Sequence, residues 1–484
     1  MGLNFKTRNE IMNRNNKGIL KDFCYLFVLL GIAFVSVYFL PQSISRIVFL
    51  GFILAFFFSK KDYIWFAFFF ILTQGPGYIF ADLGPSVHRL PLYRIAPGMS
   101  LIPMDIFAIV AIVKAFLEGK RIKMKLRKPL TLLFGYICFA SIAGAILFGV
   151  NIDIATWHMR WLFYYSFIVS FLYLIYDGRN VYRFHILLTP LAFFILFTQI
   201  FFIVKGVEFI NLFDPGYRGI AVSETGLLRA IPGGILLLFL CYVFSFVAAE
   251  NATRLQKVYW YFVIGTCLLS VFISGTRIWV IIFSVILILY GLRHRHGVLN
   301  IVKVGTIFAI IVVILFKTGV ISPAYLTKGP ITRIQQVFGI MQGRIYEAPT
   351  FERRVIYEVT PRIDIIKKNP VIGYGISYVS QRYYNNNLGC INTILMFGVF
   401  GFLIFVYFFV RYFKLLNSTL KRLHPTNPYR NFIQTMAITW TGILIGYFST
   451  WDFFTFYFRK TFFVSILIAT TEILIKEAYN QERL

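Results

Sequence analysis

Long apolar runs recur through most of this 484-residue chain, and they restrict it to one class of fold. A helix needs roughly 20 apolar residues to cross the hydrocarbon core of a bilayer. Hydrophobic residues make up 58% of the chain and charged residues 14%, whereas a soluble domain carries about 25% charged residues. The sequence therefore predicts an all-α, polytopic integral membrane protein. Counting the runs predicts about 14 transmembrane helices, near residues 23–40, 45–59, 62–80, 101–117, 130–149, 158–176, 184–204, 230–249, 258–274, 277–292, 300–318, 390–410, 431–449 and 460–476.

The basic residues between the runs predict the orientation of these helices. If the N-terminus is cytoplasmic, the loops on that side contain the clusters SKKD, EGKRIKMKLRK and RHRH, as the positive-inside rule requires. Both termini are then cytoplasmic. The net charge of +28 is spread over such short clusters; this is typical of topology signals and of sites for anionic lipids or phosphates, and no nucleic-acid partner is expected. The first apolar run has no small-residue cleavage site, so we expect it to be retained.

One stretch of about 70 residues, 319–389, lacks any apolar run of membrane length. Loops of that length are uncommon and usually functional or disordered. Scattered apolar residues such as Phe338, Tyr346 and Ile356 favour a folded segment, because they need a surface to pack on. The sequence thus predicts three parts: residues 1–318 with helices 1–11, a large helical cap loop at 319–389 on the outer side, and residues 390–484 with helices 12–14.

The predicted outer loops are enriched in arginine. They hold about 14 arginines against about 6 lysines, although topology should discourage positive charge there. Guanidinium groups bind phosphate bidentately and stay charged at any relevant pH, so an anionic, phosphate-bearing ligand is expected outside. For any single arginine, pairing with lipid headgroups or local acids is an equal alternative. The candidates are Arg160, Arg229, Arg277, Arg353 and Arg354.

The turn at residues 274–277 is the sharpest of these signals. Ser274, Gly275, Thr276 and Arg277 join two apolar runs with almost no loop. Arg277 and the free amides at the start of the next helix would then face one outer cavity, which suits an anion. A tight hairpin whose arginine reaches to the membrane interface is the alternative.

Acidic residues in the outer loops are candidates for a general base. Glu352 and Asp364 share the cap with arginines, and Glu224 lies in the loop before Arg229; a sheltered carboxylate beside arginine is a usual proton acceptor. Salt bridges to neighbouring arginines are the alternative for most of them. The sequence has no Asp-x-Asp metal motif, phosphate-binding glycine loop or nucleotide fingerprint. Neither a metal nor a cofactor is therefore expected.

Several short motifs, in this order, resemble the O-antigen ligase and polymerase superfamily. They are the Ser-Gly-Thr-Arg turn at 274–277, a large outer loop after the next full span, an arginine-aromatic segment at Arg353, Arg354 and Tyr357, the N-P-x-x-G-x-G piece with Gly373 and Gly375, and INTILMFGVFGFLIF with Asn392. The likeness covers the C-terminal part of the chain, from about residue 274. It implies a metal-independent, inverting glycosyltransferase in a bacterial inner membrane, with its active site on the periplasmic side.

The resemblance also implies the substrates and partners. The donor would be an oligosaccharide on undecaprenyl diphosphate, the arginines would hold the leaving diphosphate, and an acceptor glycan would supply the attacking hydroxyl. Membrane lipids and a chain-length regulator protein are the other partners implied.

One departure from the family pattern favours a polymerase over a ligase. Ligases of this superfamily usually carry a His-Asn pair where this chain has Ile391 and Asn392, and that histidine is thought to activate the acceptor. Ligase-type transfer to a lipid or protein remains an alternative. A lipid-linked oligosaccharide flippase is a third, although such transporters are built from repeated halves with short loops and this chain has one long loop and no visible repeat.

Overall fold

The computed structural model describes residues 16–74, 90–96, 99–150, 159–206, 230–293, 297–319, 331–343, 354–385, 388–449 and 458–482, with positions 209, 212, 327, 452 and 454. Most of these residues are helical. The helices are α1 Asn16–Tyr38, α2 Gln42–Phe58, α3 Asp62–Leu72, α4 Pro103–Leu117, α5 Arg127–Phe148, α6 Phe167–Ile175, α7 Gly178–Leu188, α8 Pro190–Lys205, α9 Ile235–Asn251, α10 Arg254–Ser274, α11 Arg277–Arg293, α12 Gly297–Lys317, α13 Thr332–Met341, α14 Thr360–Lys368, α15 Tyr378–Tyr383, α16 Gly389–Arg422, α17 Arg430–Ser449 and α18 Phe458–Glu482.

Six of the helical stretches are long and apolar enough to cross a membrane. They are α1, α5, the continuous pair α7 and α8, α10, α12 and α16. Shorter apolar helices, including α2, α3 and α9, lie among them. This agrees with the predicted class, an all-α membrane protein.

A small antiparallel hairpin is the exception to helix in the described part of the chain. Strand β1, Tyr93–Ala96, pairs with β2, Met99–Leu101, and Arg94 lies opposite Ser100. The intervening Pro97 and Gly98 are typical of a turn. The Tyr93 hydroxyl donates to the Arg46 carbonyl at 2.7 Å, which attaches the hairpin to the start of α2. The sequence analysis did not predict this hairpin.

Helix α3 lies at the centre of the fold. Every residue from Tyr63 to Leu72 is at most 3% exposed, as expected for a helix that is apolar on all sides. Its Phe66 packs edge-on against Phe107 of α4 and Phe171 of α6. Helix α12 is the opposite case, because its buried residues are Gly297 and Val304 alone. It therefore lies at the periphery of the described bundle.

Polar contacts between helix ends define a first face of the bundle. Lys61, after α2, binds Asp22 near the start of α1, with Nζ 2.7 Å from Oδ1. Lys114, near the end of α4, binds Asp62 at the start of α3 at 2.7 Å. We call this side the lysine face.

The opposite helix ends define a second face. There, Arg160 binds Asp105 at the start of α4, with Nε 2.9 Å from Oδ2, and the Tyr378 amide donates to Gly149 after α5 at 3.0 Å. Because α13, α14 and α15 belong to the 319–389 segment and contact this side, we call it the cap face.

Candidate functional site

Helix α16 is interrupted near its start on the cap face. The sequence predicts one helix near 390–410, but Gly398 has φ 64° and ψ −177°, and the helix extends to Arg422. A helix broken in this way leaves amides and carbonyls without intrahelical partners. Such groups are tolerated at membrane depth only where other protein groups or water satisfy them.

Residues 369–377, which we call the inserted segment, satisfy these groups. The amide of Val399 donates to the Pro370 carbonyl at 2.7 Å, and the amides of Tyr374 and Gly375 donate to the carbonyls of Leu395 at 2.9 Å and Met396 at 2.6 Å. The inserted segment therefore pairs with the broken stretch of α16 much as a strand would. It lies between α16 and α5, and it carries the N-P-x-x-G-x-G motif.

Glycine is required where these three backbones meet. A Cβ on Gly398 would lie 2.0 Å from the Val371 carbonyl oxygen, and one on Gly373 would lie 2.4 Å from the Gly398 nitrogen. Where the inserted segment meets α5, a Cβ on Gly375 would lie 2.0 Å from the Ala140 carbonyl oxygen. A Cβ on Gly144 of α5 would lie 2.1 Å from the Tyr374 carbonyl oxygen. The motif glycines thus allow close packing of backbone on backbone.

A network of polar side chains runs from the cap into the bundle. The Glu358 carboxylate accepts from the Asn385 side-chain amide at 2.8 Å. Asn392 donates to the Asn385 carbonyl at 2.6 Å and to the Asp452 carboxylate at 3.2 Å. Lys460, at the start of α18, donates to the Asp452 backbone carbonyl. The network therefore joins the cap to the ends of α16 and α18.

The inner end of this network is charged and buried. Asp452 is 0% exposed and Lys460 is 1% exposed. Burying an ionisable side chain is costly unless polar partners replace the lost water. Asp452 also accepts from the Phe454 amide at 2.9 Å. These contacts hold Asp452 against α16 and the start of α18.

Arg277 lies at the start of α11, under the cap. Gly275 ends α10 with φ 59°, and the Ser274 hydroxyl accepts from the Thr276 amide at 3.2 Å. The Arg277 guanidinium donates to the side-chain carbonyl of Gln336 in α13. The turn predicted from sequence thus positions its arginine against a helix of the cap.

The residue that follows Arg229 packs between α8 and α10. Ala230 is buried in a small apolar cluster with Leu269 and Ile273 of α10. The Gln199 side chain of α8 donates to the Ala230 carbonyl at 2.6 Å and to the Ser270 carbonyl at 3.2 Å. The residue next to Arg229 therefore lies against the last turn or so of α10, which ends at Ser274.

Arg160 has a different environment. It is 7% exposed, and it binds both Asp105 and the Ser100 carbonyl of β2. The Tyr164 hydroxyl donates to the other Asp105 oxygen at 2.6 Å. This ion pair joins the hairpin to α4 and to the helical residues that precede α6, and no described contact connects it to Arg277.

Asp364 is the one predicted acid whose side chain the structure describes. It is on the surface of α14 and pairs with Lys367 at 3.1 Å. Four of the other predicted site residues, Glu224, Arg229, Glu352 and Arg353, lie outside the described residues, and so does the side chain of Arg354.

The structure adds residues that the sequence analysis did not select. Glu358, Asp452 and Lys460 belong to the polar network around Asn392. The available signal was an acid and a lysine next to aromatic runs in STWDFFTFYFRK. Arg362 adjoins this network by donating to the carbonyls of Glu358 and Tyr383, and burial lowers the pKa of its guanidinium, against the opposing charge of Glu358.

The chemistry available at the cap face is anion binding and proton transfer. It offers a fixed guanidinium at Arg277 and a half-buried carboxylate at Glu358. Within the residues that have described positions, no group of three or more His, Cys, Asp or Glu could hold a metal ion.

Comparison with protein-family models gives no match for this chain. Comparison with curated protein sequences gives no match either.

Proposed function

We propose that this protein is a polysaccharide polymerase of the cell envelope. It transfers a glycan from undecaprenyl diphosphate to a sugar hydroxyl of an acceptor glycan, with inversion and without a metal. The reaction takes place on the periplasmic face of a bacterial inner membrane. The contact between Arg277 and Gln336 carries this proposal. It holds a guanidinium at the turn between α10 and α11, against helix α13 of the cap.

The arginine acts on the leaving group. As the glycosidic bond to the lipid diphosphate breaks, negative charge develops on the diphosphate, and a fixed guanidinium stabilises that charge. Arg229 and one of Arg353 or Arg354 complete the site in this proposal. The packing of Ala230 against Leu269 and Ile273 supports the approach of Arg229 to the end of α10.

A carboxylate at the cap face takes the proton of the acceptor hydroxyl. Glu358 fits this role better than Asp364, because Asn385 orients its carboxylate while Asp364 is exposed and paired with Lys367. Asp452 is less suited because it is 0% exposed and accepts from Asn392 and Phe454. Glu352 and Glu224 remain candidates for the same role.

The full topology of the proposal has about 14 spans, with both termini in the cytoplasm. The contacts of the lysine face and the cap face support it, because successive helices place their ends alternately on the two sides. Eight further helices then complete the bundle with the six long ones, and they are α2, α3, α4, α6, α9, α11, α17 and α18. The lysine face is cytoplasmic, and the cap face is periplasmic.

The direct test of this function uses purified protein in lipid vesicles. Supplied with a polyprenyl-diphosphate-linked repeat unit, the protein should make lipid-linked chains of increasing length, in chelator as well as in magnesium. A requirement for magnesium would contradict a mechanism in which arginines neutralise the diphosphate. Movement of the intact donor across the membrane, without bond cleavage, would indicate a flippase instead.

Glu358→Gln should lower kcat for chain extension by about 10²–10⁴-fold, the usual contribution of a general base. The amide keeps the shape and an acceptor for Asn385 but does not take a proton at neutral pH. Asp364→Asn is the matched control and should leave the rate within about twofold, since exposed ion pairs contribute little. Equal rates for wild type and Glu358→Gln would remove Glu358 from the mechanism.

Cysteine labelling tests the orientation. In a variant without the five native cysteines, a cysteine at Tyr346 should react with an impermeant reagent in intact spheroplasts. A cysteine at Lys123, in a loop of the lysine face, should react only after the membrane is opened. The reverse pattern would place the cap in the cytoplasm and overturn the proposal.

A further inference from the structure

The lysine face carries a concentrated basic segment that runs from the end of α4 into the first turn of α5. Residues 118–128 contain six cations and one acid, Glu118. The six are Lys120, Arg121, Lys123, Lys125, Arg127 and Lys128, and all are exposed. We call residues 118–128 the basic loop.

The basic loop is held in a defined shape. Gly119 packs so closely that a Cβ there would lie 2.3 Å from the Ala115 carbonyl oxygen. The backbone amide of Lys120 donates to the backbone carbonyl of Tyr173 at 3.0 Å. Ile122 and Leu126 are buried beneath the loop. Its cations are therefore presented on a fixed backbone.

Glu472 of α18 satisfies the backbone at the far end of the loop. Its two carboxylate oxygens accept from the amides of Lys125 at 3.0 Å and Leu126 at 2.8 Å. The Lys125 ammonium lies over the Tyr479 ring, 3.6 Å from its centroid, and the Lys120 ammonium lies over the Tyr176 ring at 4.3 Å. These two lysines are used in packing.

The other four cations have no acidic partner among the residues that the structure describes. They are Arg121, Lys123, Arg127 and Lys128. Arg127 and Lys128 open α5, whose first turn contains no acid, and a positive charge at a helix N-terminus is unfavourable. An external anion at this place would compensate for both charges.

We propose that the basic loop binds the headgroups of anionic phospholipids. The helices on either side favour a lipid over a soluble acidic partner. Phe116 and Leu117, at the end of α4, are 58% and 69% exposed, and Leu132 in α5 is 49% exposed. The loop thus combines cations that fit phosphates with adjoining apolar surfaces that fit acyl chains. This inference does not depend on the proposed enzymatic function.

The test compares the full-length protein in nanodiscs of phosphatidylcholine alone with nanodiscs that also contain cardiolipin. Native mass spectrometry should detect cardiolipin retained on the wild-type protein. The melting temperature of the wild-type protein should be higher in nanodiscs with cardiolipin than in phosphatidylcholine alone. Arg127→Gln with Lys128→Gln should weaken cardiolipin binding about 25-fold, at about fivefold for each cation. Arg121→Gln with Lys123→Gln should have a similar effect.

The control removes equal charge elsewhere. Lys421→Gln with Arg422→Gln, an exposed pair at the end of α16, should keep wild-type cardiolipin binding. In phosphatidylcholine alone, the Arg127 and Lys128 variant should be at least as stable as wild type, because it loses two cations from a helix N-terminus. Lower stability there would mean that these cations are structural, and unchanged cardiolipin binding in both loop variants would also overturn the proposal. Equal stabilisation by a soluble acidic peptide would overturn the choice of a lipid.

Discussion

Gly398→Ala is expected to prevent the protein from folding. The new Cβ would lie 2.0 Å from the Val371 carbonyl oxygen, and the clash cannot be relieved by a change of rotamer because that oxygen belongs to the backbone. The combination of φ 64° and ψ −177° is essentially restricted to glycine and costs a further 1–3 kcal/mol or so for a residue with a side chain. Separating the two segments would also break the bonds of Val399, Tyr374 and Gly375.

The total loss should exceed about 4 kcal/mol, which is exceptional for a single substitution. Fluorescence-detected size-exclusion chromatography of membrane extracts should show little monodisperse Gly398→Ala protein, and any that is recovered should melt well below wild type. Gly144→Ala should give a similar defect from the other side, because its Cβ would lie 2.1 Å from the Tyr374 carbonyl oxygen.

Two other glycines provide matched controls. Gly135 lies in α5, like Gly144, and Gly305 lies in α12; a Cβ at either position meets nothing within 4 Å. Alanine at each should stabilise its helix by about 0.5–1 kcal/mol, because glycine is entropically unfavourable within a helix. If the melting temperature of Gly398→Ala equals those of the two controls instead of lying far below them, the inserted segment does not pair with α16 as described.

The class of fold could be predicted from the sequence because hydrophobicity is a local property. Each membrane-length run is visible within about 20 residues, and six of the helices have the length and composition to span a bilayer. The Arg277 turn was visible for the same reason. Gly275 and Arg277 are neighbours in sequence, and the end of one helix and the start of the next require no distant contact.

The inserted segment could not be predicted, since its contacts are distant in sequence. Gly375 touches Ala140 of α5 and bonds with Met396 of α16. In the sequence, the glycines of this motif indicate only a turn, and nothing local shows which backbones approach them. The break at Gly398 could not be predicted for a related reason. The GVFG sequence at 398–401 lies within an apolar run, and such a run predicts an uninterrupted helix.

The burial and the partners of the ionisable groups could not be predicted, because sequence reasoning expects charge to lie at surfaces. Asp452 lies next to Trp451 and Phe453, and its pairing with Asn392 joins positions 60 residues apart. Arg160 illustrates the converse difficulty. Its sequence context matches that of Arg277, and only the structure reveals the Asp105 carboxylate beside it.

Arg277→Ala should abolish nearly all glycan polymerisation while leaving the fold intact. Removing one group that stabilises developing negative charge typically costs about 10²–10³ in kcat. Arg277→Lys should retain part of the activity, because lysine keeps the charge but cannot form the bidentate fork. The length distribution of the glycan chains is measured in cells, and kcat and KM for the lipid-linked donor are measured in vesicles. The melting temperature of each variant is measured alongside.

Two further variants separate catalysis from anchoring. Gln336→Ala removes the contact that α13 makes with Arg277 but keeps the arginine, so it should reduce the rate by about tenfold, as expected for a hydrogen bond to a charged group. Arg254→Ala, at the opposite end of α10 on the lysine face, removes an exposed arginine and should have no effect on the rate.

The decisive comparison is between kcat and stability. An arginine that only reaches to the membrane interface would change neither kcat nor KM when it is removed. An arginine that only holds the cap would give equal losses in Arg277→Ala and Gln336→Ala, with lower melting temperatures for both. An arginine that binds the leaving diphosphate should give a larger loss of kcat in Arg277→Ala than in Gln336→Ala at unchanged stability. Long glycan chains from an Arg277→Ala strain would exclude this role, because no described residue of α10 or α11 could replace a guanidinium at that turn.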